Sequence, residues 1–114
     1  MKTNMKALSS EAKTLVMANE AAAAAALKIW KRDGKQDRGA CGGAVLELDQ
    51  RSKLYKTAEA MGFRVTNGSI HLELPREIAS QNVEISEAQY LAFKSVIEAG
   101  GYSKAIKRFR TYVD

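Results

Sequence analysis

The sequence predicts an α+β fold on three observations. An alanine-rich stretch near its start repeats apolar residues at helical spacing, Asn67-Gly68 sits between two alternating segments, and a second apolar helical stretch precedes a basic final segment. At 114 residues the chain is the size of one domain. Its 46% hydrophobic and 27% charged residues are ordinary for a folded protein and argue against disorder throughout.

Residues 9–30 read as one helix, because Leu8, Ala12, Leu15, Ala22, Ala26 and Ile29 recur three, four and seven positions apart. Ser9 or Ser10 can cap it, and Glu11 suits the positive end of its dipole. The alanines at 21–26 favour helix and leave a thin face that another backbone can approach closely. At about 1.5 Å per residue the helix is longer than a small core requires, so its alanine face is expected to pair with a second copy in a homodimer. Asp33-Gly34 ends it, and the glycine-rich 35–43 reads as a connector.

Residues 44–49 alternate, with Ala44, Leu46 and Leu48 facing inward, and form the first strand. Ser52 caps a short helix carrying Leu54, Ala58 and Met61 on one face, and Gly62 takes the left-handed position that ends it. Asn67-Gly68 joins strands at 63–66 and 69–74, and its two-residue turn pairs Thr66 with Ser69, Val65 with Ile70, Arg64 with His71 and Phe63 with Leu72. Pro75 ends the second of these. Ser86 and Gln89 match a capping box with Ile85 and Tyr90 as its hydrophobic staple, so a helix is expected from there to Gly100-Gly101. Ala88, Leu91, Ala92, Val96 and Ala99 occupy one face and Tyr90, Phe93 and Ile97 another; one should meet the sheet and the other the N-terminal helix. Residues 102–113 finish as a strand whose broken alternation suggests a bulge or a frayed end. From Ala44 onward the order is strand, helix, strand, strand, helix, strand. This is the ferredoxin-like (split β-α-β) order, a four-stranded sheet here preceded by a long helix. Residues 1–38 are then helix and basic connector, and residues 39–114 the α+β core.

The net charge of +5 is concentrated at the ends: residues 1–38 hold eight Lys/Arg against four Asp/Glu and residues 101–114 four against one, while 39–100 is acidic. Lys28, Lys31, Arg32, Lys35 and Arg38 make one cluster, and Lys104, Lys107, Arg108 and Arg110, beside Tyr112, make another. The expected binding residues are Arg32, Lys35, Arg38, Lys104, Lys107, Arg108, Arg110 and Tyr112, brought together by folding to meet an acidic or phosphorylated protein, nucleotide or nucleic acid.

Signatures of chemistry are sparse. The histidine available to Cys41 is His71, which the hairpin register places beside Arg64 on the outer sheet face, away from a nucleophile's needs. Glu47 and Glu73 share that face and read as solvated charges. The glycines at 39–43 precede a strand, whereas phosphate-cradling loops follow one and open a helix. One cysteine and one histidine give neither an internal disulfide nor a zinc set. No cofactor, metal or enzymatic activity is therefore expected. Without a span of about 18 apolar residues or a secretory leader, the chain is expected in the cytoplasm and off the membrane. The outer positions Val45, Glu47, Arg64, Thr66, His71 and Glu73 carry no aromatic, so base stacking on the sheet would fall to Tyr112 or Phe109.

From Arg38 onward four features stand together. Cys41-Gly42 with Ala44 opens a strand, Ser52-Lys53-Leu54 begins a helix ending in Gly62, Ser80-Gln81-Asn82 precedes a helix running from Ala88 through Phe93 to Gly100, and Asp114 is the last residue. In these the chain resembles small accessory proteins of tailed bacteriophages and prophages with a Cys-Gly-x-Ala strand motif. It departs from them at Gly43 and Val45, where they often carry aromatics, and at Glu73-Leu74-Pro75, where they carry Trp-Asn-Pro. The resemblance implies a non-enzymatic binding protein that disables a factor of the bacterial host, foremost an anti-phage defence system, in the host cytoplasm. A nucleic-acid-binding regulator, a protein sequestering a nucleotide messenger and a structural or assembly protein are the alternatives.

Overall fold

The computed structural model describes residues 9–32, 41–78 and 82–113. The elements are α1 (Ser10–Arg32), β1 (Gly42–Leu48), α2 (Lys53–Ala60), β2 (Arg64–Thr66), β3 (Ser69–His71), α3 (Val83–Ala99), a single 3-10 turn (Ser103–Ala105) and β4 (Ile106–Val113). The four strands form one antiparallel sheet in the order β2-β3-β1-β4. Helix α3 packs on β1, and α1 packs chiefly on α3 and also on α2, which gives an α+β architecture with the helices layered over the sheet.

The hairpin has the register its turn dictates: Arg64 opposes His71, Val65 opposes Ile70 and Thr66 opposes Ser69. Asn67 at φ 50 and Gly68 at φ 93 take the positive angles a two-residue hairpin turn demands. Its strands stop at Arg64 and His71, short of the predicted Phe63–Leu72 pair. Ser52 caps α2 by accepting from the Tyr55 amide (3.1 Å), and Gly62 follows at φ 96. Met61 is turned out to solvent, and the helix buries Tyr55 beside Leu54 and Ala58 instead. The Tyr55 hydroxyl accepts from the Gly68 amide at 3.2 Å, so α2 holds the hairpin turn.

Helix α3 starts three residues before the expected capping box. Asn82, with extended backbone, accepts from the Glu84 amide at 2.7 Å and so closes the first turn ahead of Ser86. Gln89 is thereby released from capping. It is buried, and its Nε2 donates to the Glu73 carbonyl at 2.8 Å. Tyr90, Phe93 and Ile97 enter the core with Ile85, whereas Leu91 and Ala99 are exposed, so the second apolar face is only partly covered. The buried Tyr90 hydroxyl accepts from the Leu72 amide at 2.9 Å, and desolvation raises its pKa above the ordinary tyrosine range.

The interior joins Leu15, Ala18 and Ala22 of α1 to Leu46, Leu48, Leu54, Ile70, Phe93 and Ile97. A smaller cluster, Ala26, Trp30, Ile78 and Ile85, occupies the far end of α1 and accounts for its extra length. Ala22 and Ala26 are almost wholly buried within the chain, so the thin face expected to meet a second copy is already occupied by the protein's own residues. Leu8 lies outside the described residues. At the end of the chain the expected strand from 102 begins only at Ile106. The 3-10 turn precedes it, and the pairing shifts between Glu47 opposite Arg108 and Leu48 opposite Ile106, leaving Lys107 as the extra residue of a bulge.

Candidate functional site

Strand β4 carries four of the expected binding residues, and its register decides where they point. Leu46 is fully buried, so Gly43, Val45 and Glu47, odd-numbered on the same strand, face away from the helices. Their partners on β4 are Tyr112, Arg110 and Arg108. These three side chains therefore share the open face of the sheet, and Phe109, opposite Leu46, packs inward on the core. Tyr112 is consequently the aromatic that the last strand contributes to that face.

The three are arranged in a row. Arg108 Nε lies 3.7 Å from Glu47 Oε1, with the arginine side chain 67% exposed, a geometry that neutralises part of the charge and contributes little to stability. Arg110 has its guanidinium carbon 6.0 Å from the Tyr112 ring centroid, at the outer reach of a cation–π contact. The Tyr112 ring in turn lies over Gly43, where an added Cβ would come within 2.6 Å of the hydroxyl. Gly43 is thus what lets the ring lie flat against the strand. Arg64 and His71, opposite one another on β2 and β3, extend the same face away from β4.

Lys104 and Lys107 sit at the other end of β4. Lys104 is exposed on the 3-10 turn, and Lys107 is exposed in the bulge. Near them Asp49 accepts from the Arg51 amide at 3.0 Å. That hydrogen bond, with the Arg51 and Lys107 charges adding to it, holds the Asp49 carboxyl below its ordinary pKa. Arg32 is engaged elsewhere: its Nη2 is 2.8 Å from Glu84 Oε1 in the first turn of α3. Lys35 and Arg38 lie outside the described residues. The structure thus brings Arg108, Arg110 and Tyr112 onto one face and places Lys104 and Lys107 at its end, with Arg32 committed to α3.

Cys41 and His71 do not form a nucleophile–base pair. Cys41 bridges to Asn82 just before β1, while the register of β1 with β3 puts His71 beside Val45, four residues along, or about 13 Å at strand spacing. Among the described residues no three His, Cys, Asp or Glu side chains group to hold a metal ion, and no helix is long and apolar enough to cross a membrane. Sequence reasoning missed Glu47 as the partner of Arg108 and Gly43 as the seat of Tyr112. Both follow from the β1–β4 register, which a strand order, unlike a two-residue turn, does not specify locally. Compared with known proteins, the chain matches no family model, no curated protein and no solved structure.

Proposed function

We propose that this is a non-catalytic binding protein whose contact surface is the open sheet face along β4, and that its partner is an acidic surface of a bacterial host factor. The single observation that carries the reading is the alignment of Arg108, Arg110 and Tyr112 on one exposed strand, where Glu47 offsets only one of the two guanidiniums. Two guanidiniums in line with an aromatic ring suit carboxylate-rich protein surfaces, because they can pair bidentately with carboxylates while the ring supplies contact area. The resemblance to phage accessory proteins supports a host target in the bacterial cytoplasm, with an anti-phage defence component first among the candidates. We further assign the core to the ferredoxin-like class. Its support is the position of β1 between β3 and β4, together with the strand-helix-strand-strand-helix-strand order after α1.

The test is capture of partners from a host lysate on the immobilised protein, in parallel with the Arg108→Glu/Arg110→Glu double variant and with Arg51→Glu, whose side chain is 93% exposed and lies off this face. A protein captured by wild type and Arg51→Glu, lost in the double variant and released progressively by salt supports the reading. Capture that survives both charge reversals, or recovery of bulk RNA in place of a protein, rejects it.

A further inference from the structure

A cleft of about 480 Å³ opens away from β4, between α1 and the open end of the β2–β3 hairpin, within the range of small-molecule sites. Asn19 and Ala23 of α1 form one wall; Phe63, Arg64, His71 and Leu72 form the other, and the segment from Glu73 to Arg76 closes the end. That end is irregular in path but fixed in place. Two buried side chains are spent on its backbone, Gln89 donating to the Glu73 carbonyl and Tyr90 accepting from the Leu72 amide. A segment pinned in this way gives a preformed wall, which spares a ligand the cost of ordering it.

The polar groups of the lining are unbalanced. Arg64 and Arg76 bring two guanidiniums, and among the described residues neither forms an ion pair, while Glu73 brings one carboxylate. His71 Nε2 is shielded from water and has no hydrogen-bond partner among the described residues. A ring nitrogen in that state bears a desolvation cost that a polar group entering beside it would relieve. Phe63, Leu72, Pro75 and Met61 supply apolar wall between these groups.

We infer that this cleft binds a small organic anion, a carboxylate or phosphate monoester on a flat apolar body that also carries a hydrogen-bond donor. The anion sits between Arg64 and Arg76, with the imidazole of His71 turning to meet it. The apolar body lies against Phe63 and Leu72, and Glu73 accepts from the donor. The site borders the open sheet face, which Arg64 and His71 extend, but it lies across β1 from β4 and includes none of Arg108, Arg110 and Tyr112.

The probes are para-aminobenzoate, para-aminophenyl phosphate and the neutral isostere para-aminobenzamide, all carrying the same amino donor, followed by amide NMR on the whole chain. The expected result is saturable shifts at Arg64, His71, Leu72, Leu74 and Arg76 with one or both anions and none with the amide; which anion is preferred separates carboxylate from phosphate. Arg64→Gln and Arg76→Gln, both at exposed positions, should each weaken binding about tenfold or more while leaving the amide spectrum of the core unchanged. Shifts that gather on β4, equal binding of the neutral isostere, indifference to both substitutions, or no saturable shift with either anion would overturn the inference.

Discussion

Three buried polar side chains hold backbone groups, Tyr55 at the hairpin turn and Gln89 and Tyr90 on the segment after β3, and the hydroxyl of Tyr90 is the simplest to test. Replacing Tyr90 by Phe keeps the ring in the core and leaves the Leu72 amide without its acceptor, which should cost about 1–2 kcal/mol in urea unfolding at neutral pH. The same residue sets an alkaline limit. Because burial raises its pKa in the folded state, its contribution is whole below the unfolded value of about 10 and is lost as the pH rises through the folded value. Wild type should therefore lose stability in that alkaline window more steeply than Tyr90→Phe; identical slopes would mean that the hydroxyl ionises freely in the fold.

Among the elements, α1 separates packing from self-association. Ala22 is 1% exposed and Met17 is 55% exposed on the same helix. Ala22→Glu should destabilise the protein by roughly 3 kcal/mol or more, since a carboxylate enters a packed interior, whereas Met17→Glu should change stability by less than about 0.5 kcal/mol. Light scattering on wild type and both variants at high concentration completes the test: a dimer that Ala22→Glu dissociates without unfolding would place the alanine face between two copies. Legibility in the sequence follows the range of the forces involved. The hairpin register, the Ser52 cap and the end of α2 at Gly62 were readable because a turn or a cap is fixed by residues within a few positions. The start of α3 was not, because Asn82 and Ser86 both offer capping chemistry and the choice rests on Gln89 being needed across the fold at Glu73. In the candidate site the basic cluster of Lys104, Lys107, Arg108 and Arg110 is visible along the chain, while the broken alternation of the last strand leaves open whether Phe109 or Tyr112 joins it. The engagement of Arg32 by Glu84 and the seat of Tyr112 on Gly43 depend on which elements become neighbours, and no local pattern encodes that.

Across the whole molecule, Glu11 ties three regions together: its carboxylate accepts from the Tyr102 hydroxyl at 3.0 Å and lies 3.6 Å from the Lys53 ammonium. A local backbone hydrogen bond, followed by Tyr102 and Lys53, holds its pKa below the ordinary value. A depressed folded value means that the stabilisation is present above the unfolded pKa and disappears as the pH falls through the folded one; Asp49 acts in the same direction. Between about pH 7 and about pH 3, wild type should thus lose more stability than Glu11→Gln does, and an equal loss would mean that the carboxylate contributes nothing as an ion. The pairing of Glu11 with Tyr102 spans 91 residues of chain, and Leu15, Ala18 and Ala22 find their cover among Phe93, Ile97 and Ala105. Helix α1 thus precedes in the chain most of the residues that cover it. While the ribosome is still adding α3, the apolar stripe of α1 lacks its main cover and has only earlier elements such as α2 to pack on, so complete docking waits for a sequence-distant encounter. For that interval the nascent chain presents an amphipathic helix with much of its apolar stripe uncovered, the kind of surface that exposes a folding intermediate to aggregation.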